Sequence, residues 1–326
     1  MGGGAGVTVL FLASTEFWAD QFVNGLTTGS IYALIALGYT MVYGVLQLIN
    51  FAHGEVFMLG AFAGYGVLLA FGGEDIAGGM IALSILVALI AAGAASMVSA
   101  LLIERVAYRP LRNAPRLAPL ISAIGMSVFL SHLVDDGFLE GQSKFYPTIF
   151  PSDNFSLGPL TVSYLQAFLM TSSLAMMLLL YWFIQRTRIG RAIRAVSEDR
   201  DNASLMGIDV NRAIMVTFAL GAIMAGFAGV LYGLFYSSIR GSMGFVPGVK
   251  AFTAAVLGGI GSIQGAVIGG YFLGLTETVG RELLNEIPGV NLPNQWKDVV
   301  AFSLLVLVLI FRPTGIFRQG GETKRA

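Results

Sequence analysis

The chain contains no cysteine in 326 residues. Disulfides, thiolate metal sites and cysteine nucleophiles are thereby excluded. Charge is almost as scarce: Asp, Glu, Lys and Arg make up 12% of the residues, about half the share usual in a soluble domain. Basic and acidic residues number 19 each, so no basic surface points to a nucleic-acid partner. The two histidines, His53 and His132, lie far apart in sequence, and no metal site is expected. No G-x-x-x-x-G-K-[ST] phosphate loop occurs, so this chain is not expected to hydrolyse a nucleotide. No serine or aspartate stands in a convincing intramembrane catalytic pair, and the chain does not read as an enzyme. The opening MGGGAGVTVLFLAST has no basic stretch before its apolar run, unlike a signal peptide.

Apolar residues and glycine are what the chain has in plenty: 56% of it is hydrophobic, and 42 residues are glycine. Several runs reach the roughly 18 apolar residues that mark a spanning helix. Glycine at this density suits membrane helices, where small residues let backbones approach closely. The expected fold is an all-α polytopic membrane protein, a single transmembrane domain over 1–326. Full spans are predicted near 22–46, 56–71, 80–103, 117–134, 164–183, 213–236, 263–284 and 299–311. The stretch 251–261 is apolar and glycine-rich but too short to span at 1.5 Å per residue, so it reads as a broken or re-entrant ninth segment. The region around His53 is a second candidate break, and the two could be a distant internal repeat.

Arginine placement orients the chain. The segment after the third span carries Arg105, Arg109, Arg112 and Arg116, and the tail carries Arg318, Lys324 and Arg325, all placed in the cytoplasm. The N-terminus then lies outside. The outer loop 137–162 is broken by Pro147, Pro151 and Pro159 and reads as a short hairpin or a lid.

The densest charge lies in 186–212, RTRIGRAIRAVSEDRDNASLMGIDVNR, with six arginines and four acids in 27 residues. An ionised group in hydrocarbon costs roughly 2.5–3.5 kcal/mol on the insertion scale, so this island is cytoplasmic. Ile189, Ile193 and Val196 recur at helical spacing between Arg191 and Arg194. Ser197 is a candidate helix cap, Gly207 a candidate left-handed stop, and Asp209 or Asn211 a cap for the next span. An ordinary positive-inside loop and a docking element for a cytoplasmic partner both fit.

Ionisable residues inside spans are functional candidates by default. Glu277 has Arg281 one turn later, the favourable order for a helix ion pair, and reads most simply as a self-neutralised pair near the outer interface. Lys250 and Arg240 are expected at the surface. His53 stands with Asn50 and Glu55 in an otherwise apolar stretch, either satisfied by backbone at a helix break or a pathway or hinge residue.

The strings NGLTTGSIYALIALGYTMVYG (24–44), INFAHGEVFMLGAF (49–62), IERVAYRPLR (103–112), LISAIGMSVFL (120–130), GRAIRAVSEDRDNASLMGID (190–209) and GVKAFTAAVLGGIGSIQGAVIGG (248–270) run through nearly the whole chain. They resemble permease subunits of high-affinity branched-chain amino acid ABC importers, of the LivH type. That resemblance implies a bacterial inner-membrane importer in which this chain pairs with a second, homologous permease. Two cytoplasmic ATPase subunits would carry the ATP and Mg, this chain binding no cofactor, and a periplasmic binding protein would deliver leucine, isoleucine or valine. Related permeases carry urea, short amides or other amino acids. The resemblance also makes the island a coupling helix near 197–206 whose Gly190, Glu198, Asp199, Ala203 and Gly207 match the family's loop. Arg191 and Arg194 would join the acids in fixing its register on the ATPase, with Ile193, Leu205 and Met206 as apolar contacts. The expected pathway is lined by Tyr39, Tyr43, Asn50, His53, Glu55 and residues of 251–261. An ion-coupled secondary transporter and a passive channel are the rival classes.

Overall fold

A computed structural model describes the backbone of residues 3–111, 114–115, 117–137, 141–158, 160–287, 293, 296–312 and 315–316, and the side chains of those from residue 15 onward other than 157, 300 and 305. Arg112, Arg116, Pro159, Pro313, Arg318, Lys324 and Arg325 lie outside the described residues.

Eleven α-helices carry the fold among the described residues. They are α1 (Gly3–Leu46), α2 (His53–Ala70), α3 (Ile81–Ile103), α4 (Leu117–Asp135), α5 (Tyr164–Arg186), α6 (Arg188–Glu198), α7 (Arg200–Leu205), α8 (Val210–Tyr236), α9 (Phe245–Gly258), α10 (Ile263–Asn285) and α11 (Trp296–Phe311). Six of them, α1 to α5 and α8, are long and apolar enough to cross a membrane by length and composition. With α10 at 23 residues and α11 at 16, they match the eight spans expected, and the 14-residue α9 is the short segment. The break is shifted from the sequence expectation: the helix occupies 245–258, and the turn after it has left-handed glycines at Gly259 and Gly261.

The apolar window of α1 is 89% buried and that of α4 only 17%, so α1 is the axis of the bundle and α4 lies on its rim. The first helix also starts earlier than expected, taking Glu16 and Asp20 inside it. Along α1 the neighbour is α10, and the two backbones nearly touch: a Cβ at Gly270 would lie 2.5 Å from the Ala33 Cα and 2.6 Å from its nitrogen. Helix association in a bilayer gains from such close approach, because lipid offers no competing hydrophobic drive.

The loop between α4 and α5 is built on two small antiparallel ladders. β2 (Asn154–Leu157) pairs with β3 (Leu160–Ser163), the expected hairpin, and β1 (Lys144–Phe145) pairs with β4 (Ser238–Ile239), which follows α8. The loop is anchored as well as polar, since Tyr146 and Ile149 are buried. At its C-terminal end α3 continues as a π-helical turn, Glu104–Tyr108. Arg105 and Arg109 are exposed as expected, whereas Glu104 and Tyr108 of the same segment are buried.

Gly270→Ala places a methyl against backbone atoms that have no rotamer to escape through. It should destabilise the chain by about 1–3 kcal/mol, the usual range for overpacking, read as a lower midpoint of thermal unfolding in detergent.

Candidate functional site

Two interruptions meet within the bundle. Residues 47–52 join α1 to α2, and a turn at 241–244 leads into α9. Gly54, in the first turn of α2, lies against Gly244 and Gly248, so the N-termini of α2 and α9 abut: a Cβ at Gly244 would lie 2.5 Å from the Gly54 carbonyl oxygen. Ser127, halfway along α4, closes the group by donating its hydroxyl to Glu55 Oε1 at 3.2 Å.

Three of the five sequence-predicted pathway residues gather here. Tyr39 meets the His53 ring edge-on, 4.7 Å between centroids. Glu55 is 1% exposed, and its Oε2 has no hydrogen-bond partner; neither has His53 Nε2. Asn50 is held to one side, accepting a hydrogen bond from the Tyr108 hydroxyl at 2.9 Å. Tyr43 lies one turn further along, toward the C-terminal end of α1.

Three neighbouring cavities are lined in part by Tyr39, Tyr43 and Ser127, whereas Asn50, His53 and Glu55 line none of the three. A chamber of about 260 Å³ is walled by Tyr39, Phe51, Ser127, Val128, Phe245 and Phe252. A crevice of about 10 Å³ between Tyr39, Tyr43, Ile49, Phe252 and Ile260 follows it. Beyond that opens a vestibule of about 630 Å³, bounded by Tyr43, Gln47, Tyr181, Arg194, Glu198 and Gln264. Tyr39 and Phe252 belong to both chamber and crevice, and Tyr43 and Ile260 to both crevice and vestibule. The middle crevice, of about 10 Å³, is too small for any organic solute, so the chamber and the vestibule do not join into an open passage.

A second buried polar group corrects two expectations. Lys250 is 6% exposed rather than at the surface, and its ammonium lies 2.9 Å from Glu277 Oε1 and 2.6 Å from Asp298 Oδ1. Glu277 also accepts from the Tyr32 hydroxyl at 3.0 Å, so its partners come from α9 and α1 rather than from Arg281, which pairs with Glu282. The long lysine stem lets a residue near the start of α9 carry its charge to α10 and α11. Breaking such a pair by removing one partner costs about 3–5 kcal/mol, which makes it a clamp on the short helix. His132 instead pairs at the surface with Asp136, at 3.0 Å. Among the described residues no group of three potential metal ligands occurs.

The charged island folds into two helices: α6 carries the helical spacing of Ile189, Ile193 and Val196, and α7, at 200–205, falls within the helix expected near 197–206. Thr187 caps α6 by accepting the Gly190 N–H at 3.0 Å, and Gly190 packs against the Ile184 carbonyl so closely that no side chain fits. The cap of α7 is Asp199, not Ser197. Asp199 Oδ1 accepts from the N–H groups of Asp201 and Asn202, both at 3.0 Å, while the Ser197 hydroxyl turns back to the Arg194 carbonyl within α6. Neighbouring Ser and Asp are both good caps, and the charged one takes the helix end. Gly207, at φ 80°, ends α7, with Ile208 N–H returning to the Ala203 carbonyl at 3.1 Å. Asp209 caps α8 through the Arg212 N–H at 3.0 Å.

Two arginines bind the hairpin to the bundle. Arg194 donates to the Ile184 carbonyl of α5, and Arg200 Nε donates to the Val45 carbonyl at the end of α1 at 3.0 Å. Sequence pattern singled out Arg194 but not Arg200, whose partner lies 155 residues away. Ile193 and Ala203 are buried in the chain itself, so Ile193 is not available as an outward contact. Arg191, Glu198 and Asp199 are exposed. Leu205 and Met206 stand 83% and 82% exposed at the tip, an apolar pair with nothing of this chain over it.

A bundle with six helices long and apolar enough to span a membrane, an interrupted core and a charged helical hairpin is the architecture of a polytopic membrane protein. Residues 21–309 match the family described as branched-chain amino acid transport system / permease component. The chain is 47% identical over 310 residues to the high-affinity branched-chain amino acid transport system permease protein BraD of Pseudomonas aeruginosa, covering 92% of this chain and 95% of that one. It is 46% identical, with the same coverage, to the corresponding LivH protein of Escherichia coli K12. A probable LivH permease of Methanocaldococcus jannaschii is 27% identical over 88% of each chain. The chain therefore belongs to the branched-chain amino acid transport permease family: it is a transport subunit of the membrane, not an enzyme.

Asp199→Ala removes the α7 cap at a cost of about 1 kcal/mol. Amide exchange across 200–205 should quicken about fivefold, while Asp199→Asn, which keeps the accepting oxygen, should stay near wild type.

Proposed function

We propose that this chain forms part of the translocation pathway of a bacterial inner-membrane ABC importer for leucine, isoleucine and valine. The observation that carries the proposal is the shared wall: Ile193, Arg194, Ser197 and Glu198 of α6 line the same vestibule as Tyr43 and the Ile260–Gln264 turn. A force applied to the hairpin thus acts directly on the cavity that a released substrate must cross. The relatives' names supply the substrate class, and the chamber's aromatic and aliphatic walls suit it.

In this proposal a second homologous permease completes the membrane unit within the lipid bilayer. Two cytoplasmic ATPases dock on the hairpins, holding ATP and Mg themselves, and a periplasmic binding protein delivers substrate to the outer face. The docking knob is Leu205 and Met206, with Arg191, Glu198 and Asp199 around it. An apolar pair this exposed is suited to insertion into a cleft on a partner, where aliphatic burial contributes about 1.5–3 kcal/mol per side chain. Gly190, Ala203 and Gly207 shape the hairpin from within. The pathway itself runs past Tyr39, His53 and Glu55, then between Tyr43 and Phe252.

The assembled importer carrying Leu205→Asp and Met206→Asp should lose its ATPase subunits on purification and more than tenfold of its ATP-driven leucine uptake. The far-UV spectrum of the chain should be unchanged. Leucine uptake by the purified chain alone, driven by an ion gradient, would contradict the proposal and favour a secondary transporter.

A further inference from the structure

The short helix α9 is tied to α11 at both of its ends. Near its start, Lys250 reaches Asp298 in the first turn of α11, with 2.6 Å between the ammonium and Oδ1. At its far end the chain beyond α11 comes back to it: the Ile316 N–H donates to the Leu257 carbonyl at 2.8 Å. Leu257 is the last residue but one of α9 and is fully buried. A helix leaves its final carbonyls without intrahelical donors, and one that stops inside a bundle has neither water nor lipid to supply them. Ile316 supplies one of those donors.

Shape makes the far tie specific. Gly315 has φ 80°, and Gly259, the residue that ends α9, has φ 100°. The two meet backbone to backbone: a Cβ at Gly315 would lie 2.6 Å from both the Cα and the nitrogen of Gly259. A side chain at 315 would be strained at that φ and would push the two segments apart. Between the ties, α11 turns Ala301, Leu304 and Val308 toward the core, a stripe at helical spacing.

The ties bracket one wall of the crevice. That wall is Phe252 and Ala255 of α9 and, in the turn that follows, Ile260. Phe252 comes two residues after Lys250, and Ile260 directly follows Gly259. The opposite wall is Tyr39 and Tyr43 of α1 with Ile49. The hairpin is bonded to the α1 side through Arg200, and α11 is bonded to the α9 side, so the two walls have different anchors. We infer that α11 is the carrier that holds the α9 wall in place, with Gly315 and Ile316 as positioning residues for the crevice. The wall bonded to the hairpin moves, and the wall bonded to α11 stays. This rests on the importer reading above and adds to it which side of the constriction is fixed.

The test uses the complete importer with its binding protein in proteoliposomes. Ile316→Pro removes the N–H that holds Leu257, and Ile316→Ala keeps it. I316P should lower the leucine moved per ATP hydrolysed about threefold, whereas I316A should match wild type. In a Tyr43→Cys, Ile260→Cys background, I316P should also slow bridging by a short bifunctional thiol reagent about threefold, because the two walls no longer face each other at a fixed distance. A role in stability alone would lower the yield of the complex and leave both the ratio and the bridging rate unchanged. Asp298→Asn loosens the other end of α9 and should lower the ratio about twofold; it carries the test if I316P does not assemble. A wild-type ratio and bridging rate in I316P, or in D298N if only that variant assembles, would overturn the inference while leaving the importer reading intact. So would equal losses in I316P and I316A. A wild-type complex that imports no leucine on ATP would overturn the importer reading, and the bridging rate would still report on the tie.

Discussion

Backbone that is neither helix nor closed ladder survives at membrane depth only when protein covers it, because lipid offers no hydrogen bond to a bare N–H or C=O. This chain interrupts itself twice in the same place, at 47–52 and at 241–244, and the surrounding helices are arranged to shelter those breaks. Tyr108 reaches from the end of α3 to hold Asn50, Ser127 holds Glu55, and Ser131 donates to the Gly241 carbonyl at 3.0 Å. Lys250 fastens the short α9 to α10 and α11 by charge. Glycines at 54, 244 and 248 let the broken ends meet backbone to backbone.

In the proposed importer the same arrangement would form the part of the pathway that opens. The constriction is made by side chains of α1 and α9 with Ile49 and Ile260 from the connecting turns, and its lower wall is shared with the hairpin. Arg200 ties that hairpin to the last turn of α1 and Arg194 ties it to α5. In the proposed importer a push on the hairpin would therefore reach the helix that carries Tyr39 and Tyr43. Rigid caps at Thr187, Asp199, Gly207 and Asp209 keep the hairpin from absorbing the movement.

The features legible in the sequence are those set by local chemistry. Span positions follow from apolar runs, the Gly207 stop and the Asp209 cap from residue type, and the short ninth segment from its length. Residue type pointed to Ser197 as the cap of α7, and Asp199 holds that place because its side chain reaches two amides. What sequence order could not give is partnership across helices. Glu277 and Arg281 have ideal spacing, yet Glu277 finds Lys250 and Tyr32, 27 and 245 residues away. Lys250 reads as a surface residue because its neighbours are loop-like, and its long stem carries the charge inward instead. The chamber draws on α1, α4, α9 and the 47–52 connection, and no local pattern encodes such a meeting.

The central claim is that the crevice between Tyr43 and Ile260 is a gate on the substrate path. The natural absence of cysteine permits a test free of background. A Tyr43→Cys, Ile260→Cys importer, bridged by a short bifunctional thiol reagent, should lose leucine uptake and regain it on reductive release. ATP hydrolysis stimulated by the binding protein should respond far less. Full uptake with the bridge in place would contradict the account, because substrate would then be crossing the membrane elsewhere.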